Sequence, residues 1–575
     1  MENPGLSKTQ EALLSLPLFE FINLPNVTSF HAPDSVRLRA LAQNNPYMRI
    51  GTVLTGGYVI GYVIEEMFNQ FVLELGESLI GVHPTLLTLL DRQSLESASI
   101  LQVQQLPNIN LRGEGVLLGF VDTGIAYTHP AFLYEDGTSK IQYIWDQTIL
   151  GNFPSDMQFG SVYSKAQIDE ALASDNPLSI VPEQDFNGHG TFIASVAGGR
   201  ENNNYIGAAP DAEIIAVKLK PANQFQRSQT AAPPDNDTIF ASDNVMLGIQ
   251  FILDKADELN RPVAICIGLG SNFGGHAGLS LIEQYISYAN TRRGVVVCSA
   301  AGNEANARHH TSGTILSSGD IKAIEVVAGE NVSTLVVYIW NSPLDSISAA
   351  VESPAGQIIH RIPFEANTVF QRSLALERSM VSIGYFLLRD HLILVKITDP
   401  TPGIWRIILQ GEVIANGEFH AWLPITGIAG PNVEFASPDP DYTVVIPATA
   451  VGALVSGAYD SRDNSLYVAS SWGPTRVPRL APDFTAPGVN VGGAVPGGGH
   501  GVFTGTSVAA SITTGASAIL LQWGIVEGHE FFMNSARVRA LLIRSCDRHP
   551  NIQYPNVQWG YGSINLMNSF RVLSG

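Results

Sequence analysis

Three short motifs carry side chains that could together perform nucleophilic chemistry. An apolar run ends on Asp122 in VDTGI, His189 stands between glycines in NGHGT, and Ser507 precedes a small-residue helix in GTSVAA. A serine hydroxyl attacks a carbonyl carbon when a histidine takes its proton and an aspartate holds that histidine. The three residue types therefore predict covalent catalysis by an Asp, His, Ser charge relay.

Each motif also has an ordinary structural explanation when it stands alone. An aspartate before a turn is commonly a turn residue, a histidine is commonly a cap or a core side chain, and a serine that begins a helix is commonly an N-cap. A serine in the first helical turn, however, lies beside backbone N–H groups and the positive end of the helix dipole, which suit a developing oxyanion. The chain order Asp, His, Ser also differs from that of chymotrypsin and the α/β-hydrolases.

Taken together, DTG, HGT and GTS-x-A resemble the subtilase family of subtilisin-like serine proteases. The resemblance covers about residues 113–304 and 442–570, and it implies that Asp122, His189 and Ser507 form the charge relay. It also implies a serine endopeptidase with a protein substrate and no required cofactor. Some subtilases bind structural calcium, but no acidic loop in this sequence indicates a calcium site.

Two further segments resemble parts of a subtilase site. The sequence AAGN resembles the strand end that supplies the oxyanion asparagine, here Asn303. Gly268, Leu269 and Gly270 resemble the strand end that pairs with substrate, and Gly268 stands where a serine is common. That departure leaves the shape of the S1 pocket open.

A parallel sheet is needed to bring such distant residues together. Apolar strands at Gly115–Val121, Ala212–Lys218, Val263–Ile267 and Gly294–Cys298 alternate with helical stretches. This alternation predicts a parallel sheet covered by helices on both faces. In such sheets the active site follows the carboxyl ends of the strands, where Asp122 stands.

The chain divides into four segments of different local character. Residues 1–95 form an α+β module with a predicted hairpin that turns at Gly56 and Gly57, and residues 96–310 carry the first part of the α/β core. Residues 311–440 contain many short β-rich runs separated by turns, which predict an inserted β-sandwich or jelly roll. Residues 441–575 return to α/β character and complete the core.

The layout of the whole chain resembles one group of subtilases, the Csp germination proteases of clostridia. Asn303 and Ser507 lie 204 residues apart, more than a minimal subtilase core uses, and the segments LDRQSLESASILQVQ and WGYGSINL also look Csp-like. Subtilases commonly have an N-terminal propeptide, and residues 1–95 are placed for that role, so we expect self-cleavage between Gln93 and Ser99. The Csp resemblance implies that the propeptide can stay bound in the active-site cleft. It also implies limited proteolysis that activates the pro-form of a spore cortex hydrolase during germination.

Three alternatives stay open. Residues 1–95 could be a permanent N-terminal domain. The chain could be a catalytically silent regulatory or binding protein on the same fold, although the presence of all three relay residues favours an enzyme. It could also be a Csp-like protease that acts on a different protein substrate.

Composition argues against several other classes of protein. The net charge of −20, from 32 basic and 52 acidic residues, disfavours binding to nucleic acid phosphates. The cysteines Cys266, Cys298 and Cys546 are too few for a disulfide framework and are predicted to be reduced core residues. We find no standard secretion signal and no apolar run long enough to span a bilayer, so we expect a chain made in the cytoplasm and, by the Csp resemblance, associated with the spore. His309 and His310 are predicted to lie at the surface rather than to form a metal pair.

Overall fold

A nine-stranded, mostly parallel sheet lies at the centre of the protein. The structure is a computed structural model that describes residues 13, 16–76, 79–89, 98–104, 110–154, 156–201, 205–228, 230–476 and 479–574. Across the sheet the strands follow the order Ser465–Leu466, Leu454–Asp460, Val295–Ala300, Val263–Ile267, Leu117–Asp122, Glu213–Lys218, Ile141–Asp146 and Ser161–Ser164, and Phe484–Pro487 also pairs with the second of these. The two outermost strands run antiparallel to their neighbours and the others run parallel. The predicted α/β class with a parallel sheet is confirmed.

Helices cover both faces of this sheet because its central strands are apolar on both sides. One set of side chains from Leu117–Asp122 packs with the helices His189–Gly198 and Thr506–Leu521, and the other set packs with Ser242–Glu258 and Leu281–Ala289. The other described α-helices are Leu18–Ile22, Val36–Asn44, Phe68–Leu75, Leu79–Val82, Ile100–Gln104, Lys165–Leu172, Gln224–Ser228, Ser535–Ser545 and Leu566–Ser574.

One helix in the described part of the chain is long and apolar enough, by length and composition, to cross a membrane, which the search for apolar runs in the sequence missed. It spans Thr506–Val526, and 89% of its most apolar stretch is buried inside the protein. Its side chains belong to the same hydrophobic core as those of the central strands. Packing against the sheet accounts for this composition.

The first part of the chain is a small α+β unit. Its three-stranded sheet has the order Val27–Pro33, Tyr58–Ile64, Met48–Leu54. The predicted hairpin is present, and Gly56 and Gly57 make its turn with φ of 91° and 82°, a backbone region that favours glycine. The predicted self-cleavage window, from Gln93 to Ser99, lies largely outside the described residues.

The next strand along the chain, Leu86–Leu89, pairs with strands of the α/β core and not with this unit. Leu86–Leu89 pairs antiparallel with Leu269–Gly270 on one side and with Phe240–Ala241 on the other, which makes a separate three-stranded sheet. The sequence showed only a leucine-rich segment here. The pairing is non-local, because its partners follow the strand by more than 150 residues.

Two antiparallel sheets interrupt the α/β core between residues 310 and 435. The six-stranded sheet has the order His310–Thr314, Glu418–Trp422, Thr334–Asn341, His391–Thr398, Ser379–Leu387, Thr368–Leu374. The five-stranded sheet has the order Ile358–Ile362, Ser346–Glu352, Gly403–Val413, Ile321–Ala328, Glu434–Phe435. Side chains from both sheets share one hydrophobic core, as in a β-sandwich. The jelly-roll assignment and the segment limits at 95, 310 and 440 stay predictions.

Candidate active site

Asp122 is the last residue of a central strand of the large sheet, Leu117–Asp122. Its Oδ1 accepts a hydrogen bond from the Thr123 N–H at 2.8 Å and lies 2.8 Å from Nδ1 of His189. Its Oδ2 is buried and has no hydrogen-bond partner among the described residues. One carboxylate oxygen is thus committed to orienting the histidine.

His189 is the first residue of the helix His189–Gly198, and a network of backbone contacts fixes the preceding turn. Asp185 accepts from the Gly188 N–H at 2.8 Å, from the Thr191 N–H at 2.8 Å and from the Thr191 hydroxyl at 2.7 Å. A Cβ at Gly190 would collide with the carbonyl oxygen of Gly124, so the aspartate and histidine motifs touch through their glycines.

Ser507 stands in the first turn of the helix Thr506–Leu521, with its Oγ 3.1 Å from Nε2 of His189. The imidazole therefore bridges Asp122 and Ser507. Its contacts fit the neutral ring that donates from Nδ1 to the carboxylate and accepts the serine proton at Nε2. The exposed fractions of Asp122, His189 and Ser507 are 1%, 4% and 0%, so the three side chains are shielded from water.

Asn303 follows the strand Val295–Ala300 and contacts the residue before the serine. Its Oδ1 accepts from the Thr506 N–H and from the Thr506 hydroxyl, both at 3.1 Å. Its Nδ2 is buried and has no hydrogen-bond partner among the described residues. An amide held at its oxygen, with an unused donor, suits stabilisation of an oxyanion. Thr506 is a positioning residue that the sequence reasoning missed, although it lies within the GTS motif.

The glycine-rich strand end predicted to bind substrate is already paired within the chain. Leu269 stands opposite Leu89 and Gly270 opposite Thr88, in the antiparallel register that an extended peptide would use. A Cβ at Gly268 would lie 3.0 Å from Cε1 of His189 and 3.2 Å from Cβ of Ser507. The glycine therefore borders the histidine and serine directly.

Comparison with known proteins identifies the protein family that has this geometry. A profile described as "Subtilase family" matches residues 113–337 and 413–562, more than half of the chain. The chain belongs to the subtilase family. Its overall fold is also similar to the CspB protease of Clostridium perfringens, with a TM-score of 0.73 and 32% identity over 83% of this chain and 98% of that one.

Curated relatives of this subtilase are proteases too. This chain is 23% identical over 471 residues to the PIII-type proteinase of Lactococcus lactis subsp. cremoris. It is 21% identical over 499 residues to the minor extracellular protease Vpr of Bacillus subtilis. These matches cover 72% and 83% of this chain, but only 22% and 54% of the relatives. Family and relatives class it as a serine endopeptidase. The individual roles of Asp122, His189, Ser507 and Asn303 stay predictions.

A buried ion pair lies next to the asparagine of this subtilase. Glu304 accepts from Nδ1 of His309 at 2.7 Å and from the amide of Asn272 at 2.9 Å. Burial alone would lower the pKa of His309, but the neighbouring Glu304 carboxylate outweighs it, and the pKa is raised. Burial alone would raise the pKa of Glu304, but His309 outweighs it, and that pKa is lowered. The prediction that His309 and His310 lie at the surface is wrong, because both are buried. No group of three His, Cys, Asp or Glu side chains in the described ranges could hold a metal ion.

Proposed function

We propose that this subtilase is a self-processing endopeptidase in which Ser507 is the nucleophile, His189 the general base and Asp122 the residue that orients it. The observation that carries the proposal is one imidazole within hydrogen-bond distance of both partners, at 2.8 Å from Asp122 and 3.1 Å from Ser507. This is the geometry that serine activation requires. Gly268, Leu269 and Gly270 are proposed to bind the substrate strand.

The chemistry follows from these positions. As the Ser507 oxygen bonds to the scissile carbonyl carbon, its proton moves to Nε2 of His189, and Asp122 stabilises the imidazolium. The carbonyl oxygen becomes an oxyanion that accepts from Nδ2 of Asn303 and from the Ser507 N–H. Collapse breaks the C–N bond while His189 returns the proton to the leaving amine. A water molecule then hydrolyses the acyl-enzyme by the same steps.

Residues 1–95 are proposed to be a propeptide that the site removes itself. This is supported by the strand Leu86–Leu89, which occupies the pairing position of a substrate between Leu269–Gly270 and Phe240–Ala241. This strand pairs through its backbone on both sides, at two residues with each neighbour, so a cleaved propeptide would be retained in the cleft. The proposed cut lies between Gln93 and Ser99.

A role in spore germination is the finer proposal. Its support is the likeness to the CspB protease, which extends over 98% of that chain. The substrate would be the pro-form of a cortex hydrolase, and the enzyme would be associated with the spore.

A silent binding protein on the same fold is the second candidate. Two observations favour it: Ser507 has no exposed surface, and the substrate position is filled. A protein with this arrangement could hold a partner without turnover.

Intact mass of the purified chain decides between the candidates. We expect the wild-type chain to be cut into two fragments between residues 93 and 99, whereas the Ser507→Ala chain should keep the full mass of 61.8 kDa. Ser465→Ala, at an exposed position of the short edge strand Ser465–Leu466, is the matched control and should process like wild type. If wild type stays whole and a fluorophosphonate fails to label Ser507, the silent binding protein is the better account. A cut that Ser507→Ala does not prevent would mean that another protease made it.

A further inference from the structure

A cavity of about 360 Å³ lies where the N-terminal unit, the α/β core and the inserted sandwich meet. The N-terminal unit contributes His83, Pro84 and Leu86 to its walls, and the core contributes Ser271 and Phe273. The third wall is the outer face of the six-stranded sheet of the insert. The cavity is therefore enclosed by parts that are far apart in the chain.

This cavity is continuous with the candidate substrate cleft. Ser271 directly follows the cleft strand Leu269–Gly270, and Leu86 is the first residue of the strand that fills the cleft. Both strands of that antiparallel pair thus run from the cleft into the cavity.

The strand register tells how many residues before the scissile bond each residue of a bound peptide would lie. Gly268 borders Ser507, so a substrate residue opposite Gly268 would carry the scissile carbonyl. Applied to the chain itself, this register would place the cut after residue 90, before the window of Gln93 to Ser99 that was predicted from the sequence. Leu89, opposite Leu269, then occupies the second place before the bond and Thr88, opposite Gly270, the third. Counting back along the chain, Leu86 occupies the fifth place. Pro84 and His83 occupy the seventh and eighth.

The wall supplied by the insert has two neighbouring rows of side chains with different chemistry. Strand pairing aligns one polar-rich row across the sheet, Val336, Lys396, Ser382 and Gln371. The next row is apolar, Tyr338, Leu394, Gly384 and Val369.

Two features of these rows suit a bound side chain. A Cβ at Gly384 would lie 2.6 Å from the ring of Phe386, so this ring packs over the glycine and adds an aromatic surface to the apolar row. The ammonium of Lys396 donates to the carbonyl of Ser228 at 3.1 Å, which holds a positive charge beside that row.

We propose that this face of the insert is a substrate subsite for the fifth to eighth residues before the scissile bond. It would take an apolar side chain at the fifth place, where Leu86 now lies, and a carboxylate at the eighth place, within reach of Lys396. The occupant is a substrate strand that displaces Leu86–Leu89 and continues in its direction. The inference rests on the proposed protease function, and it assigns the insert a part in substrate selection.

Peptide length provides the first test. A peptide with eight residues before the bond, leucine at the fifth place and glutamate at the eighth, is compared with one that has four residues. We expect the longer peptide to have a kcat/KM about tenfold higher, the gain that burial of one apolar side chain supplies. Val369→Glu should bring the ratio close to one, and Lys396→Met should lower it only for the peptide with glutamate at the eighth place.

Matched controls come from the other sheet of the sandwich. Val413→Glu changes an equally exposed strand valine, and Lys322→Met changes a strand lysine, both away from the cavity. Both should keep the wild-type ratio. Equal kcat/KM for the two peptides, or a ratio that Val369→Glu leaves unchanged, would overturn the subsite.

Cross-linking separates the subsite from catalysis. The longer peptide, with a photoreactive phenylalanine at the eighth place, is added in excess to self-processed wild-type protein whose Ser507 is blocked with a fluorophosphonate, because the uncut Ser507→Ala chain would keep Leu86–Leu89 tethered in the cleft. Cross-links on Thr368–Leu374, Ser379–Leu387 or His391–Thr398 support the subsite even if no peptide is hydrolysed. Cross-links elsewhere, or none, would refute it. Loss of hydrolysis of both peptides would count against the proposed function alone.

Discussion

The side-chain amide of Asn303 is held at its oxygen and unused at its nitrogen. Two donors of Thr506, the N–H and the hydroxyl, fix the oxygen, and the same hydroxyl accepts from the Gly302 N–H at 3.0 Å. This arrangement aims Nδ2 before any substrate arrives. Donors that are oriented in advance stabilise an oxyanion without reorganisation at the moment of reaction.

Thr506→Val removes the hydroxyl and keeps the shape of the side chain. We expect kcat to fall about tenfold with little change in KM, less than the 10²–10³ loss that removal of an oxyanion donor causes, because the Thr506 N–H still holds Asn303. Steady-state kinetics on a peptide substrate measures this.

Thr513→Val, on the same helix, is the control. Its hydroxyl donates only to the helix carbonyl of Ala509 among the described residues, so kcat should stay near wild type. Equal losses in the two variants would show that Thr506 acts through the stability of the helix and not through Asn303.

The candidate site residues differ in how far the sequence could reveal them. Four of them lie in short motifs that are recognisable in the sequence by their glycines and small residues: Asp122, His189, Ser507 and Asn303. Thr506 and Asp185 act through contacts with residues brought close by folding. Nothing in a single sequence distinguishes Asp185 from an ordinary acidic turn residue.

The start of the helix His189–Gly198 depends on Asp185. Because the first N–H groups of a helix have no acceptor within it, the carboxylate satisfies the Thr191 N–H and also binds the Gly188 N–H before the helix. The negative charge of the carboxylate also interacts favourably with the positive, N-terminal end of the helix dipole. The element that carries the candidate base is thus positioned by a residue outside the proposed relay.

Asp185→Ala should lower both stability and activity. Loss of a helix cap costs about 0.5–2 kcal/mol, and release of the turn should reduce kcat/KM because the imidazole is no longer held between Asp122 and Ser507. Thermal unfolding and peptide hydrolysis measure the two effects.

Asp169→Ala tests whether instability alone explains the loss. Asp169 accepts from the Ser139 N–H at 2.7 Å in a part of the core that does not contact the relay. It should lower the melting temperature and keep kcat/KM. If Asp185→Ala melts like Asp169→Ala and is as active, the positioning role fails.

Strand and helix positions followed from the sequence where burial is uniform. The strand Val263–Ile267 is buried on both faces, and its uninterrupted apolar run marked its limits. Leu86–Leu89 was not predicted as a cleft strand, because a short leucine-rich run carries no information about a partner more than 150 residues away. The cavity shared by three parts of the chain is also a product of such distant packing.

Buried histidines join the insert to the core. His276 of the core stacks on Trp422 of the insert, with ring centres 4.1 Å apart, and Nε2 of His310 lies 3.1 Å from Nδ1 of His420. One of those two nitrogens must donate and the other accept, so the accepting ring must be neutral. Burial lowers the pKa of His276 to about 4 and that of His310 and His420 to about 3.

His276 has two carbonyl neighbours, Val444 at 2.7 Å from Nδ1 and Asn272 at 3.3 Å from Nε2. A neutral ring has a single N–H, and the shorter contact assigns it to Nδ1. Burial favours this neutral form over a doubly protonated ring that could donate to both carbonyls.

These lowered pKa values predict that acid loosens the junction. The unfolded chain takes up a proton on each histidine below pH 6.5, whereas the folded chain resists it until about pH 3 to 4. The stabilisation is therefore complete above pH 6.5 and is lost as the pH falls, by about 1.4 kcal/mol per pH unit for each histidine. We expect the melting temperature to fall steeply between pH 6.5 and pH 4.

His420→Gln provides the test, since glutamine can hydrogen-bond to His310 but does not titrate. The groups around His420 are His310, His276, Glu418, Asp439, Tyr442 and Arg476. Removal of one histidine should make the melting temperature less dependent on pH, whatever its effect at pH 7. The control, His549→Gln, changes an exposed histidine and should leave the slope at its wild-type value. If both variants keep the wild-type slope, acid acts elsewhere in the molecule, and the histidine junction is not what makes the fold sensitive to acid.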